Sequence, residues 1–139
     1  MEYLFVDTTF WVARFNRRDK HHREAAALFH ELSEGKWGNF RLVTSDYVFD
    51  ETVTAVLART RNHAIAERVG RAVRDSEAVR LAYIGPAGFE AAWVLFTERA
   101  DKEWSFTDCT SFVLMEREGL RKALSFDENF KQAGLATLP

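Results

Sequence analysis

The chain has 139 residues, of which 47% are hydrophobic and 29% are charged, and its formal net charge is -2 at pH 7. This length suffices for one buried core and is too short for two ordinary domains, so we expect a single domain over residues 1–139. The composition argues against an intrinsically disordered chain, and the near-neutral charge argues against a strongly basic nucleic-acid-binding protein.

The N-terminal segment and the cysteine content both bear on localisation. Cys109 is the only cysteine, so no disulfide can form within the chain and nothing indicates an oxidising compartment. The N-terminus has no basic region, and its apolar run is too short for a signal peptide or a membrane span. We therefore expect a cytoplasmic protein that starts near Met1 and has no membrane partner.

The first half of the chain alternates short apolar runs with helical patterns. Residues 2–6 form a nearly continuous apolar run, which is typical of a strand buried on both faces of a parallel sheet. A first helix follows, and apolar residues at helical spacing predict a second helix over residues 22–32. A second strand is expected at residues 41–44.

A helical hairpin is predicted next. Ser45 and Asp46 offer an N-cap for a helix over about residues 47–60, and Arg61 and Asn62 separate it from another helix. The inner face of that helix is predicted to consist of Ile65, Val69, Ala72 and Val73.

The second half continues the alternation of strands and helices, which indicates an α/β fold. Its predicted elements are a strand at 79–83, a helix that starts at 85–88 and reaches about residue 100, a helix over 107–118 capped by Ser105 or Thr107 and ended by Gly119, and strands at 123–126 and 136–138.

Four carboxylates occupy positions that a parallel sheet would bring together. Asp7 and Asp127 directly follow predicted strands, Glu51 lies about one turn into its helix, and Asp108 lies in the first turn of another. Open parallel sheets bind ligands outside the carboxyl ends of their strands, so we expect these side chains to meet there. An acidic pocket without counter-charge requires a metal ion, and hard oxygen ligands select Mg²⁺ or Mn²⁺, which most often serve phosphate chemistry.

Each acid also has a structural interpretation. An aspartate in a first helical turn complements the helix dipole, an aspartate after a strand often turns the chain, and a glutamate on a helix is usually solvated. Asp50 is an alternative to Glu51, because adjacent residues point to different faces of a helix. If the four acids do meet without metal, their mutual repulsion predicts coupled titration with at least one raised carboxylate pKa.

The order of the acidic motifs resembles that of the PIN-domain ribonucleases, and particularly the VapC-type toxins of toxin–antitoxin pairs. The matching motifs are Val6-Asp7-Thr8, Asp50-Glu51-Thr52, Ser105-Phe106-Thr107-Asp108-Cys109 and Leu124-Ser125-Phe126-Asp127, and they extend over essentially the whole chain. The resemblance implies a three-layer α/β/α sandwich with a central, mostly parallel sheet.

The same resemblance implies a function and site residues. It implies a metal-dependent endoribonuclease using Mg²⁺ or Mn²⁺, the toxin of a type II toxin–antitoxin pair. The catalytic and metal-binding acids would be Asp7, Glu51, Asp108 and Asp127. Thr8 and Thr107 would supply supporting hydroxyls that hydrogen-bond neighbouring carboxylates or metal-bound water. The implied partners are an RNA substrate, a second copy of the chain, and a small antitoxin that inserts a basic side chain into the acidic pocket.

Two rival functions remain open at this point. The first is a metal-dependent phosphohydrolase or phosphotransfer domain in which Asp7 is phosphorylated, although the chain lacks a second acid close after Asp7. The second is a non-catalytic PIN-shaped scaffold that binds RNA or protein. The complete set of four acids argues against a scaffold.

Other residues near the acidic motifs have plainer interpretations. Cys109 and the tryptophans Trp11 and Trp104 beside the acidic motifs are expected to pack in the interior, and no histidine is needed as a general base. Either of two basic stretches could steer an RNA backbone, or both could be solvated faces with interspersed acids. The first, which we favour, contains Arg14, Arg17, Arg18, Lys20 and Arg23, and the second contains Arg59, Arg61, Arg68, Arg71 and Arg74.

Two helices have more apolar residues than one sheet face obviously needs, which suggests a protein partner, with core burial as the alternative. The residues are Phe10, Trp11, Val12 and Phe15 on the first helix and Val48, Phe49, Val53 and Val56 on the next.

Overall fold

A computed structural model describes residues 2–139 and contains one five-stranded, all-parallel sheet. The strands, in chain order, are β1 (Glu2–Val6), β2 (Phe40–Ser45), β3 (Val79–Ala82), β4 (Lys122–Leu124) and β5 (Ala136–Leu138). The helices are α1 (Thr8–Phe15), α2 (His22–Ser33), α3 (Asp46–Thr60), α4 (His63–Arg74), α5 (Gly85–Glu98), α6 (Phe106–Glu118) and α7 (Glu128–Gln132). The α/β interpretation of the sequence is confirmed.

The spatial order of the strands is β3-β2-β1-β4-β5. The chain therefore builds the sheet outward from β1 through β2 and β3, and then crosses over to add β4 and β5 on the other side of β1. Leu4 pairs with Leu42 on one side of β1, and Phe5 pairs with Ala123 on the other. The strand order reverses between β1 and β4, which is where open α/β sheets bind their ligands.

Helix ends follow the local signals in the sequence. The hydroxyl of Ser45 accepts a hydrogen bond from the Val48 backbone N–H and caps α3, which ends at Arg61 in a left-handed conformation with φ 51°. Ser105 caps α6, and Gly119 ends that helix at φ 68°, a conformation that glycine adopts at little cost.

Most apolar side chains of α1 are buried in the core. Phe10, Trp11 and Val12 are at most 1% exposed, and on α3 Val48 and Val56 are fully buried. The expectation of a partner surface on these two helices is therefore wrong for these residues, and core burial explains them. Trp104 is also buried, at 6% exposure, as expected of a packing residue.

Apolar surface is exposed on α5 instead. Phe89, Trp93 and Phe96 are 41–52% exposed, although their spacing correctly predicted a helix. On α4 the buried face is rotated from the predicted one, because Ala66 and Gly70 are buried while Ile65 and Ala72 are only partly so. Among residues 2–139, no helix is long and apolar enough to cross a bilayer.

Candidate active site

Asp7 lies at the reversal of strand order, directly after the central strand β1. It is the N-cap of α1, and its Oδ2 accepts hydrogen bonds from the Thr9 backbone N–H (3.3 Å), the Thr9 hydroxyl (2.7 Å) and the Ser125 hydroxyl (2.9 Å). The side chain is almost completely buried, with the residue 2% exposed. Because the buried carboxylate of Asp7 has only neutral hydrogen-bond donors around it, its negative charge is not compensated.

Asp108 approaches Asp7 from the first turn of α6. It forms a capping box with Ser105, in which Asp108 Oδ2 accepts from the Ser105 backbone N–H at 3.0 Å. The same oxygen accepts from the side-chain amide of Asn129 at 3.0 Å. Asp108 therefore has a helix-capping role. The residue is also only 6% exposed, and its charge raises the pKa of Asp7.

Asp127 is joined to Asp108 through Asn129. Asp127 is the N-cap of α7, its Oδ1 accepts from the Asn129 backbone N–H at 2.9 Å, and its Oδ2 accepts from the Asn129 side-chain amide at 3.3 Å. The one amide group thus bridges two of the predicted acids. Helix α7, which the sequence patterns did not predict, supplies this bridge.

Glu51 reaches the site from α3, and its neighbour Asp50 does not. Glu51 is partly buried and lines a cavity of about 340 Å³ together with Thr8 and Thr9, whereas Asp50 is exposed. Glu51 also contributes charge at Asp108. Of the two adjacent acids, the geometry favours Glu51.

Asp108 interacts electrostatically with each of the other three acids. Burial is the main reason that the pKa of Asp7 rises from 3.8 to about 7. The hydrogen bond from Thr9 opposes this rise, and the charge of Asp108 adds to it. The pKa of Asp108 is also raised, chiefly by burial, with contributions from the charges of Asp127 and Glu51. Within residues 2–139, no Lys, Arg or His forms an ion pair with any of the four. This matches the expected raised carboxylate pKa.

The hydroxyls that support Asp7 are not those expected from the sequence. Thr9 and Ser125 donate to Asp7, and no hydrogen bond joins the side chain of Thr8 or Thr107 to an acid in the described part of the chain. Thr107 contributes its carbonyl oxygen, which accepts from the hydroxyls of Thr110 and Ser111. The Thr8 hydroxyl is buried and has no partner.

The arrangement suits a hard divalent cation, although among residues 2–139 no three acidic, histidine or cysteine side chains are already drawn together around one point. The donors are carboxylates, the ligands that Mg²⁺ and Mn²⁺ prefer. All hydrogen bonds to Asp7 and Asp108 described above fall on Oδ2, so Oδ1 of each is free to bind a ligand. The orphaned Thr8 hydroxyl adds a polar group without a protein partner.

Two further residues near the acids were missed from the sequence. The His21 ring stacks on Phe126 with centroids 4.2 Å apart, and both line the cavity that contains Glu51. Asn129 is the second, and an asparagine two residues after an aspartate N-cap is a weak signal that could have pointed to it. No local signal identifies His21, because its contact with Phe126 joins distant parts of the chain.

Cys109 has no role as a nucleophile. The residue is fully buried, and burial raises the pKa of its thiol from 9.0 to about 11, with a smaller contribution from the charge of Asp108. A thiol with this pKa stays protonated near neutral pH, and only the thiolate is a good nucleophile. Its expected role as an interior residue is confirmed.

The chain is similar to known proteins over nearly its whole length. The PIN domain family model matches residues 4–135. The 23S rRNA-specific endonuclease VapC20 of Mycobacterium tuberculosis, from strains CDC 1551 / Oshkosh and ATCC 25618 / H37Rv, is 33% identical over 131 residues, covering 94% of each chain.

Solved structures agree with the fold. The crystal structure of Mycobacterium tuberculosis VapC20, described as a sarcin-ricin loop cleaving toxin, has a TM-score of 0.85 at 33% identity and covers 96% of each chain. VapBC2 from Rickettsia felis, bound to a promoter DNA fragment, has a TM-score of 0.70 at 13% identity, covering 99% of this chain and 98% of the other. FitAcB from Neisseria gonorrhoeae has a TM-score of 0.64 at 16% identity, covering 100% of this chain and 97% of the other. The last two show likeness of fold alone, and the expected three-layer α/β/α sandwich is confirmed.

Proposed function

The chain belongs to the PIN domain family, and from this premise we propose that it is a metal-dependent endoribonuclease, the toxin of a type II toxin–antitoxin pair. One observation carries the proposal: four carboxylates without a basic ion-pair partner surround the reversal of strand order, Asp108 interacts with the charges of the other three, and two of the four are buried. We call Asp7, Glu51, Asp108 and Asp127 the acid site.

The acid site would hold Mg²⁺ or Mn²⁺ through its carboxylate oxygens. When bound, such an ion supplies charge stabilisation to the reacting phosphate and makes water a stronger nucleophile near neutral pH. The binding of a divalent cation would also offset the repulsion among the acids. The free Oδ1 atoms of Asp7 and Asp108 make these two residues the principal candidates for ligands.

The surrounding residues position the acids. Thr9 and Ser125 hold Oδ2 of Asp7, and the Ser105 backbone N–H and the Asn129 amide hold Oδ2 of Asp108. These donors fix the orientation of each carboxylate and favour its charged form. Thr8, which has a buried hydroxyl without a partner, is proposed to donate to a ligand of the acid site.

We propose that the substrate is the sarcin–ricin loop of 23S rRNA. Support comes from the 33% identity to VapC20, whose names describe a 23S rRNA-specific endonuclease and a sarcin-ricin loop cleaving toxin. The reaction hydrolyses one phosphodiester bond of that RNA, so the acid site must accept a phosphate, and its own negative charge makes a divalent cation necessary for that.

We also propose that the chain forms a homodimer and is bound in the cytoplasm by a small antitoxin. The exposed aromatic residues of α5 support a protein interface, because Trp93 and Phe96 stack on each other with centroids 5.9 Å apart at the surface. Light scattering of the purified chain tests the dimer. Co-purification with the product of an adjacent small open reading frame tests the antitoxin.

The endonuclease activity is tested by incubating the purified chain with 23S rRNA in Mg²⁺ or in EDTA. The expected result is cleavage at one position within the sarcin–ricin loop, absent in EDTA and absent with the Asp108→Asn variant. Intact RNA in the presence of the well-folded wild-type chain and Mg²⁺ would contradict the proposal and favour a non-catalytic scaffold.

A further inference from the structure

A second cavity, of about 460 Å³, lies beside the one that contains Glu51 and shares Arg59 with it. The residues that line it include four arginines and no acid, and we call it the arginine cavity after Arg17, Arg18, Arg59 and Arg68. Two of these arginines come from each of the two basic stretches of the sequence. The fold therefore joins stretches that appeared to be alternatives.

The charges of the arginine cavity are largely unpaired. In the described part of the chain, no carboxylate lies within 4.0 Å of the guanidinium groups of Arg17, Arg18 or Arg68, and Arg59 makes only a long contact of 3.9 Å with Asp19. On the same helix as Arg68, by contrast, Arg71 pairs with Glu67, whereas Arg74 makes a contact of 3.9 Å with Asp75, as long as that of Arg59. An ordinary solvated face intersperses its cations with acids, and this cavity does not.

The segment that presents Arg17 and Arg18 is ordered by local hydrogen bonds. The Asn16 side chain accepts from the Arg18 backbone N–H at 3.1 Å, and the Asp19 backbone N–H donates to the Asn16 carbonyl at 3.0 Å. The two arginines therefore extend from a defined turn rather than from a free loop. A preformed site loses less conformational entropy on binding.

Arg59 connects the arginine cavity to the acid site. Glu51, Ala55 and Arg59 recur every four residues on α3, and all three line the cavity beside the acid site, while Arg59 also lines the arginine cavity. Eight residues of helix span about 12 Å. A chain of phosphates that reaches the acid site can therefore continue along this face of α3 to the arginines.

We propose that the arginine cavity binds the RNA strand through a phosphate other than the one being cleaved, with Arg17 and Arg68 as its principal contacts. Guanidinium groups bind phosphate through paired, charge-assisted hydrogen bonds. Phe15 and Ile65 line the same cavity and offer apolar surface to a ribose or base. This inference rests on the proposed function, because it places the strand relative to the acid site.

The test compares the double variant Arg17→Gln/Arg68→Gln with the matched pair Arg71→Gln/Arg74→Gln, which removes the same charge from α4 but lines a different groove. Binding of a fluorescein-labelled sarcin–ricin loop hairpin is measured in metal-free buffer over a range of salt concentrations. Arg17, Arg68, Arg71 and Arg74 are all exposed, so thermal unfolding should confirm that each variant is folded.

The double variant in the arginine cavity is expected to bind the hairpin about tenfold or more weakly and to lower the salt slope by roughly two, one for each lost phosphate contact. The Arg71→Gln/Arg74→Gln variant should keep the wild-type slope. Where the wild type cleaves RNA, the arginine-cavity variant should show a raised KM with kcat largely retained. Equal affinity and equal slope in the two double variants would overturn the proposal. That result is expected if the cavity binds an acidic protein segment instead of RNA.

The binding and cleavage measurements test the arginine cavity and the proposed function separately. Binding in metal-free buffer does not depend on cleavage, so failure of the wild type to cut RNA would count against the proposed function alone. Cleavage that is unaffected by loss of Arg17 and Arg68, together with unchanged binding, would count against the arginine cavity alone.

Discussion

The Ser125 hydroxyl donates a hydrogen bond of 2.9 Å to Oδ2 of Asp7 and so joins the ends of two neighbouring parallel strands, β4 and β1. The same hydroxyl oxygen accepts from the Asp127 backbone N–H at 3.0 Å. Ser125 therefore links two members of the acid site at the point where the strand order reverses. Burial makes the Asp7 carboxylate resist ionisation, and the hydrogen bonds from Thr9 and Ser125, which favour the charged form, offset that effect only in part.

Replacing Asp7 with asparagine should stabilise the metal-free protein above neutral pH. Burial raises the folded-state pKa of Asp7 to about 7, whereas the unfolded chain releases this proton near 3.8. The contribution of this group to stability therefore falls as pH rises from 3.8 to about 7 and stays at its lowest above that. Asp7→Asn removes this pH-dependent destabilisation, so we expect the free energy of unfolding above pH 7 to rise by up to about 4 kcal/mol.

Urea unfolding in EDTA at about pH 4 and about pH 8 checks this prediction. The difference between Asp7→Asn and wild type should be small at the lower pH and largest at the higher one. The variant should also lose RNA cleavage. A variant that is less stable than wild type at both pH values would show that the Asp7 carboxylate is chiefly a helix cap.

The hydroxyl of Thr9 should be required for activity, although Thr9 is not itself an acid-site residue. It donates to Asp7 at 2.7 Å and accepts from the Phe126 backbone N–H at 3.0 Å. Thr9→Val keeps the shape and removes the hydroxyl, so we expect an unfolding free energy lower by about 1–2 kcal/mol and a clear loss of kcat. Thr9→Ser retains the hydroxyl and should keep most of the activity; equal activity in both variants would argue against the positioning role.

Glu51 and Asp50 should differ sharply in their effect on cleavage. Glu51 is partly buried and lines the cavity with Thr8, whereas Asp50 is exposed on the same helix. Each change, Glu51→Gln or Asp50→Asn, removes one negative charge from α3. We expect Glu51→Gln to abolish RNA cleavage and Asp50→Asn to leave it near wild type, and the reverse pattern would make Asp50 the ligand.

Metal binding should be visible without any RNA. Mn²⁺ or Mg²⁺ at about one hundred times its Kd is expected to raise the free energy of unfolding by about 2.7 kcal/mol. Below pH 7, binding should also release protons, because Asp7 is largely protonated in the metal-free protein. Thermal unfolding and calorimetry in two buffers measure these effects. Asp108→Asn should abolish both, while a wild-type melting temperature that is insensitive to metal would exclude a metal site.

Local patterns predicted the fold well because most elements carry their own signals. Apolar runs identified all five strands within about two residues, and cap residues such as Ser45 and Gly119 marked helix ends. Helix α7 was missed because five residues are too few to show helical periodicity. The exposed face of α5 was also missed, since apolar spacing indicates a helix but does not say what covers it.

The acid site was only partly predictable. The strand ends and helix starts that carry the four acids could be read from the sequence, and the parallel topology brings these positions to one edge of the sheet. Their hydrogen-bond partners could not be predicted, because Ser125 and Asn129 reach Asp7 and Asp108 across tertiary contacts. For the same reason the sequence could not show that the hydroxyl of Thr9 is the one that donates to Asp7, and the supporting role of the Thr8 hydroxyl stays a prediction.

The measurement that tests the central claim most directly is the chemistry of the RNA ends. Hydrolysis by water activated at the acid site breaks the bond between phosphorus and the 3′ oxygen, and it leaves a 5′-phosphate and a 3′-hydroxyl. We predict these ends at one position of the sarcin–ricin loop hairpin with Mg²⁺, and no cleavage in EDTA or with Asp108→Asn. Products with a 2′,3′-cyclic phosphate, or cleavage that persists in EDTA, would contradict a metal-dependent acid site.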